Sequence, residues 1–159
     1  MNNLQLNNIL NRETEEQKLI DVLNYFEENK HLMPTIRGVY IYGGPGSGKS
    51  YFVKNILKKL NYDIVLYDAG DFRNKNVIET ITKHNMSDTN IISMFNKKTK
   101  KLAIIMDEID GMNSGDKGGI NSLIKLIRPK KTKKQKKEEI TMIPIICIGN
   151  YHIDKKIKE

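Results

Sequence analysis

The run Leu102-Ala103-Ile104-Ile105-Met106 is apolar at every position and stops at two carboxylates, Asp107 and Glu108. A strand with one face in water alternates polar and apolar residues, so a run with no polar position has to be buried on both faces. Three further short runs, at 39–42, 64–67 and 143–148, are similarly rich in Ile, Val and Tyr. Between the runs the apolar spacing changes to a helical period: Phe52, Ile56, Leu57 and Leu60 share one face, and Ile120, Leu123, Ile124 and Ile127 share another. Weaker helical patterns lie at 77–81 and 91–95. Unalternating strands separated by helices predict an α/β fold: a parallel sheet of about four strands with helices on both faces, in three layers. Pro144 belongs near the start of its strand, where no ladder donor is missed.

A chain of 159 residues suits one compact domain. Residues 1–36 are expected to form an amphipathic helix and a lead-in segment, and 37–159 the core. The helix is predicted over 11–29, with Leu19, Val22, Leu23 and Phe26 as its apolar stripe. Thr14 and Gln17 have capping-box spacing, and Glu13, Glu15 and Glu16 suit a first turn.

Gly43-Gly44-Pro45-Gly46-Ser47-Gly48-Lys49-Ser50 matches G-x-x-x-x-G-K-[ST] in full and falls between an apolar strand and a helix. Glycines let such a loop curl so that successive backbone N–H groups face inward, and the helix that follows adds a partial positive charge. That is a phosphate cradle. Residues 43–50 and the next residue, Tyr51, are the expected nucleotide-binding set, with Lys49 on the β- and γ-phosphates and the Ser50 hydroxyl on Mg²⁺. Asp107 is the expected second magnesium ligand, and Glu108 the group that orients and deprotonates an attacking water. Together these residues predict MgATP binding and hydrolysis. Asn150 follows the fourth strand, where its amide can reach a γ-phosphate or the water beside it. Asp110 reads as a turn or helix-capping residue.

Other features exclude alternatives. The only cysteine, Cys147, sits inside Ile145-Ile146-Cys147-Ile148, so no disulfide framework exists and a packing role is expected. His31, His84 and His152 are scattered, with no carboxylate or cysteine at ligand spacing. No stretch approaches the roughly 20 apolar residues of a membrane span, so an intracellular protein with no membrane partner is expected. The net charge of +8 is largely local, because 6 of the 27 basic residues crowd into 130–137. That lysine-rich loop, 129–139, reads as a disordered solvated connection, with an electrostatic grip on nucleic acid as the alternative.

Four segments resemble the AAA+ ATPases, and within them the clamp loaders of DNA replication, above all the large subunit of replication factor C. They are the P-loop, Tyr67-Asp68-Ala69-Gly70-Asp71-Phe72-Arg73-Asn74-Lys75, the run from Ile105 through Met112 with Asp116-Lys117-Gly118-Gly119-Ile120, and the strand from Ile143 to Asn150. The resemblance implies a subunit that works with other AAA+ subunits in a hetero-oligomer and couples ATP to loading a sliding clamp on primer-template DNA. It makes Asn150 the sensor of the γ-phosphate and Arg73, Lys75 and Lys117 candidate contacts to the DNA backbone. The implied compartment is the nucleus or, given the Lys, Asn and Ile richness of an AT-rich genome, a viral replication compartment.

Departures bear on the expectation. Gly70-Asp71 stands where the family has Ser-Asp, and the P-loop opens Gly-Gly-Pro-Gly where the family has Gly-Pro-Pro-Gly. The family's fifth strand, arginine finger, sensor 2 arginine and helical lid have no counterpart here. The expectation is therefore a fragment of a longer product, or a domain completed by a partner, with its first strand at a sheet edge and weak hydrolysis in isolation. Two alternatives remain open at this point. One is a replication initiator or helicase loader, since Asn11-Arg12-Glu13-Thr14-Glu15 resembles the Arg-Glu segment of origin-recognition proteins. The other is a scaffold that binds ATP without hydrolysing it.

Overall fold

A computed structural model describes residues 11–68, 101–111, 117–129, 132–137 and 140–151. Along them run α1 (Glu13–Asn29), β1 (Gly38–Tyr42), α2 (Lys49–Lys59), β2 (Tyr62–Tyr67), β3 (Lys101–Met106), α3 (Lys117–Ile127) and β4 (Ile145–Gly149), with short 3-10 turns at Ile109–Gly111 and Gln135–Lys137. The four strands form one parallel sheet in the order β1-β4-β3-β2.

The apolar run that predicts two buried faces has them. Along β3, Leu102, Ile104 and Met106 point into one core, while Ala103 and Ile105 point into the other. In β4, Ile145 and Cys147 join the first core and Ile146 and Ile148 the second. Leu123 and Leu126 of α3 cover the first face; Leu19 and Leu23 of α1, with Phe52, Val53, Ile56 and Leu57 of α2, cover the second. The result is three layers, helix on sheet on helices. Each fully buried Ile or Leu contributes about 1.5–3 kcal/mol of transfer free energy, so the two central strands hold the sheet together. As expected, β1 lies at the edge of the sheet among the described residues.

Several local expectations are corrected. The spacing of Thr14 and Gln17 does not make a capping box. Helix α1 starts at Glu13, its N-cap is Arg12, and no side chain caps it. Gln17 instead donates to Asp21 Oδ1 at 2.7 Å along the helix. β4 starts at Ile145, two residues later than predicted, because Pro144 has no N–H to enter a ladder. Pro144 still supplies its carbonyl, which accepts the Ile104 N–H at 3.0 Å. Leu126, which the predicted stripe of α3 omits, is 5% exposed. The lysine-rich stretch contains an ordered turn at 132–137. Thr132 and Gln135 exchange backbone-to-side-chain hydrogen bonds of 3.1 and 3.2 Å, and the lysines between them face solvent. The helical patterns at 77–81 and 91–95, with Arg73 and Lys75, lie outside the described residues. Lys117 opens α3. No helix among the described residues is long and apolar enough to cross a membrane.

A charged residue, Arg37, is buried at the foot of the sheet together with Thr35 and Thr141. Arg37, 2% exposed, donates to the carbonyls of Thr141 at 2.7 Å, Lys30 at 2.8 Å and Leu32 at 3.0 Å. It ties the end of α1 to the approach to β4, and burial lowers its pKa.

Candidate functional site

A parallel sheet delivers the carboxyl ends of its strands to one side, and ligands of open α/β folds lie there. Here that side carries the loop from Gly43 after β1, Asp68 after β2, Asp107 and Glu108 after β3, and Asn150 after β4.

The loop from Gly43 to Gly48 wraps the start of α2. Gly46 and Gly48 take φ of 72° and 80°, left-handed values that cost a residue with a Cβ about 1 kcal/mol or more. Gly48 is also the N-cap of α2, so no side chain caps that helix and its first N–H groups face the loop. Nothing lies within 4 Å of the Cβ positions of Gly44 and Gly46. The loop therefore has open space over Gly44 and Gly46 beside the uncapped start of α2, an arrangement that suits a phosphate chain. Arg12, the N-cap of α1, donates from Nη2 to Ser47 O at 2.7 Å and so fastens the start of α1 to the loop.

Lys49 joins the loop after β1 to the end of β4 at one atom. Its Nζ donates to Gly43 O at 2.8 Å, Gly44 O at 2.9 Å and Asn150 Oδ1 at 3.1 Å. The next residue, Ser50, donates its hydroxyl to Asp107 Oδ2 at 2.5 Å. A hydroxyl and a carboxylate so placed fit a hard divalent cation, which takes oxygen ligands. Asp107 Oδ1 accepts the Glu108 N–H at 3.0 Å, and the Asp107 N–H donates to Tyr67 O at 2.8 Å. Glu108 has a φ of 53° and an exposed side chain, so the chain leaves β3 through a left-handed step that lifts this carboxylate off the strand axis. Tyr51 is 48% exposed on the first turn of α2.

The fold thus brings together Lys49, Ser50, Asp107 and Asn150 by direct contact, with Glu108 beside Asp107 and the loop residues 43–48 around Lys49. Asp110, on a turn as expected, and Tyr40 also hold the site. Asp110 accepts the Asn150 N–H at 3.2 Å, and the Tyr40 hydroxyl donates to Tyr151 O at 2.8 Å while its ring lies against Gly149. Neither bond has a sequence signal, because each joins segments far apart in the chain.

The family model described as "ATPase family associated with various cellular activities (AAA)" matches residues 39–158. The chain belongs to the AAA family. Among curated proteins this AAA domain is similar to replication factor C subunit 1 of Saccharomyces cerevisiae, 34% identical over 94 residues, which are 55% of this chain and 11% of that protein. The human protein of the same name is 32% identical over 130 residues, 78% of this chain and 10% of its own length. The replication factor C large subunit of Methanococcus vannielii is 31% identical over 90 residues, 56% of this chain and 17% of the relative. The chain thus spans well under a quarter of the length of these relatives. Among solved structures, Caenorhabditis elegans PCH-2 shares the fold with a TM-score of 0.56 at 14% identity, covering 91% of this chain and 39% of that one.

Proposed function

We propose that this AAA domain is the MgATP-binding and hydrolysing core of a clamp-loader subunit similar to the large subunit of replication factor C. The observation that carries the reading is the join at Lys49 and Ser50, where the P-loop meets Asn150 from β4 and Asp107 from β3. The similarity to large subunits of replication factor C supports the machine; the geometry supports the chemistry.

In this reading the backbone of Gly43 to Ser50, with Tyr51 just beyond, holds the triphosphate, and the Lys49 ammonium faces its β- and γ-phosphates. Ser50 and Asp107 would hold the magnesium ion, which would supply positive charge against the negative charge on the phosphoryl oxygens. Glu108 accepts the proton of the attacking water. Asn150 donates its amide to the γ-phosphate or that water. Other AAA+ subunits, a sliding clamp and primer-template DNA are the partners, inside the cell where DNA is copied, and Arg73, Lys75 and Lys117 are candidate phosphate contacts. Arginine fingers contribute about 10³–10⁵ in rate, so hydrolysis by this stretch without its partners is slow while binding persists.

The test is equilibrium MgATP binding with parallel hydrolysis for the wild type, Lys49→Ala and Glu108→Gln, with and without primed DNA and a clamp. Wild-type binding that Lys49→Ala loses by more than tenfold, with Glu108→Gln binding normally but hydrolysing about 10²–10⁴-fold more slowly, is the expected pattern. Absent nucleotide binding by a folded chain would make it a scaffold, and hydrolysis indifferent to primed DNA and clamp in the presence of partner subunits would remove the clamp-loader assignment.

A further inference from the structure

Asp110 sits on the 3-10 turn that follows Glu108, in a position where a turn residue facing water would suffice. Its side chain turns inward instead. Oδ2 accepts the backbone N–H of Asn150 at 3.2 Å, across 40 positions of sequence. Oδ1 is buried and has no hydrogen-bond partner among the described residues. The turn itself is held at both ends: Ile109, 7% exposed, is packed in the core, and the Gly111 N–H donates to Glu108 O at 2.8 Å.

A continuous path follows from these contacts. The Glu108 carbonyl is fixed by the turn, Asp110 on that turn grips the Asn150 backbone, and the Asn150 side chain meets Lys49 Nζ at 3.1 Å. Asn150 is held on its far side as well, through the bond from the Tyr40 hydroxyl to Tyr151 O at 2.8 Å. Side-chain direction follows backbone placement, so the group that fixes the Asn150 N–H also sets where its amide points. A carboxylate oxygen suits the task, because it can accept the backbone N–H directly.

We propose that Asp110 is a positioning residue: it holds Asn150 at the phosphate cradle and binds that placement to the turn carrying Glu108. The proposal rests on the reading of Asn150 as the residue facing the γ-phosphate. Asp110 touches neither nucleotide nor metal, and its effect passes through Asn150. Loss of the carboxylate therefore slows hydrolysis and leaves nucleotide affinity, which the P-loop supplies, nearly intact.

The experiment is single-turnover ATP hydrolysis with parallel MgATP binding by the full chain, for Asp110→Ala, Asp110→Asn, Asn150→Ala and the pair Asp110→Ala with Asn150→Ala. The expected result is hydrolysis about tenfold slower in Asp110→Ala, binding within about threefold of wild type, and an intermediate rate in Asp110→Asn, which keeps an acceptor oxygen. In the Asn150→Ala background, Asp110→Ala should add less than about twofold, since the amide it aims is gone. Wild-type hydrolysis by Asp110→Ala overturns the proposal, as does a full tenfold loss that persists in the Asn150→Ala background. Should Asp110→Ala fail to fold by circular dichroism, the same comparison is made with Asp110→Asn, which keeps volume and acceptor. If Asn150→Ala hydrolyses like the wild type, the sensor reading itself fails and the proposal falls with it, an outcome distinct from additive losses, which refute the coupling alone.

Discussion

Gly149, the last residue of β4, is where a single methyl group should do the most damage for its size. A Cβ built there would overlap the Tyr40 hydroxyl and come within 3.0 Å of Cζ and 3.1 Å of Cε2 of the same ring. The ring has to move. It stacks on Tyr42, with centroids 6.1 Å apart and planes at 25°, and its hydroxyl donates to Tyr151 O. Forcing it aside loses that hydrogen bond, about 1 kcal/mol, and overpacks the joint between β1 and β4, about 1–3 kcal/mol. Gly149→Ala should thus destabilise the chain by about 2–4 kcal/mol, which at a typical urea slope moves the unfolding midpoint down by about 1–2 M. Urea titration followed by circular dichroism reads this directly. Tyr40→Phe alone should cost about 1 kcal/mol, and the double variant should fall short of the sum by about the same amount, because the hydroxyl's bond is lost only once. Gly149→Ala within about 0.5 kcal/mol of wild type, or strict additivity with Tyr40→Phe, would refute the packing argument.

Two other perturbations probe the buried polar groups. Burial pushes the Cys147 thiol up to about 12 from an ordinary 9.0. The folded form therefore keeps its proton where the unfolded form has lost it, so the stability contribution is complete below pH 9 and lost as pH rises towards 12. Urea midpoints should fall more steeply above pH 9 in the wild type than in Cys147→Ala, by up to about 1.4 kcal/mol per pH unit, and equal slopes would exclude the thiol. Native Cys147 should also resist thiol reagents until denaturant is added. Arg37→Met keeps the volume but leaves the carbonyls of Thr141, Lys30 and Leu32 without their donor, for an expected loss of about 2–4 kcal/mol by the same urea assay. Arg37→Lys should restore little, since one ammonium cannot span the three acceptors as a guanidinium fork does; a Met variant within about 1 kcal/mol of wild type would show the carbonyls to be satisfied otherwise.

What was legible in the sequence is what local chemistry dictates. The wholly apolar 102–106 run declares its two buried faces without reference to any other residue, and Gly43 to Ser50 carries its loop geometry in its own glycines. Both are found where the patterns place them. Asp107 and Asn150 were readable as strand-end residues for the same reason. Illegible were the bonds that only a folded sheet creates: Arg37 to Thr141, Tyr40 to Tyr151, Asp110 to Asn150 and Arg12 to Ser47. No spacing rule reaches across those distances. The false capping box at Thr14 and the unforeseen reciprocal bonds of Thr132 and Gln135 show the complementary limit. Both segments have the residue types for a reciprocal cap, and it forms at Thr132 but not at Thr14, where the helix starts one residue earlier, at Glu13.

The edge position of β1 has a bearing on time. β1 pairs only with β4 among the described residues, and Lys49 meets Asn150 from 101 positions away. Chains are synthesised at about 5–20 residues per second, so the P-loop exists for about 5–20 s before the residues that complete it have been made. β2 and β3 pair with each other over a shorter interval and precede β4. During synthesis, the strand that begins the sheet is thus the last to be seated in it, and the capacity to hold a nucleotide arrives as a late event in the birth of the chain.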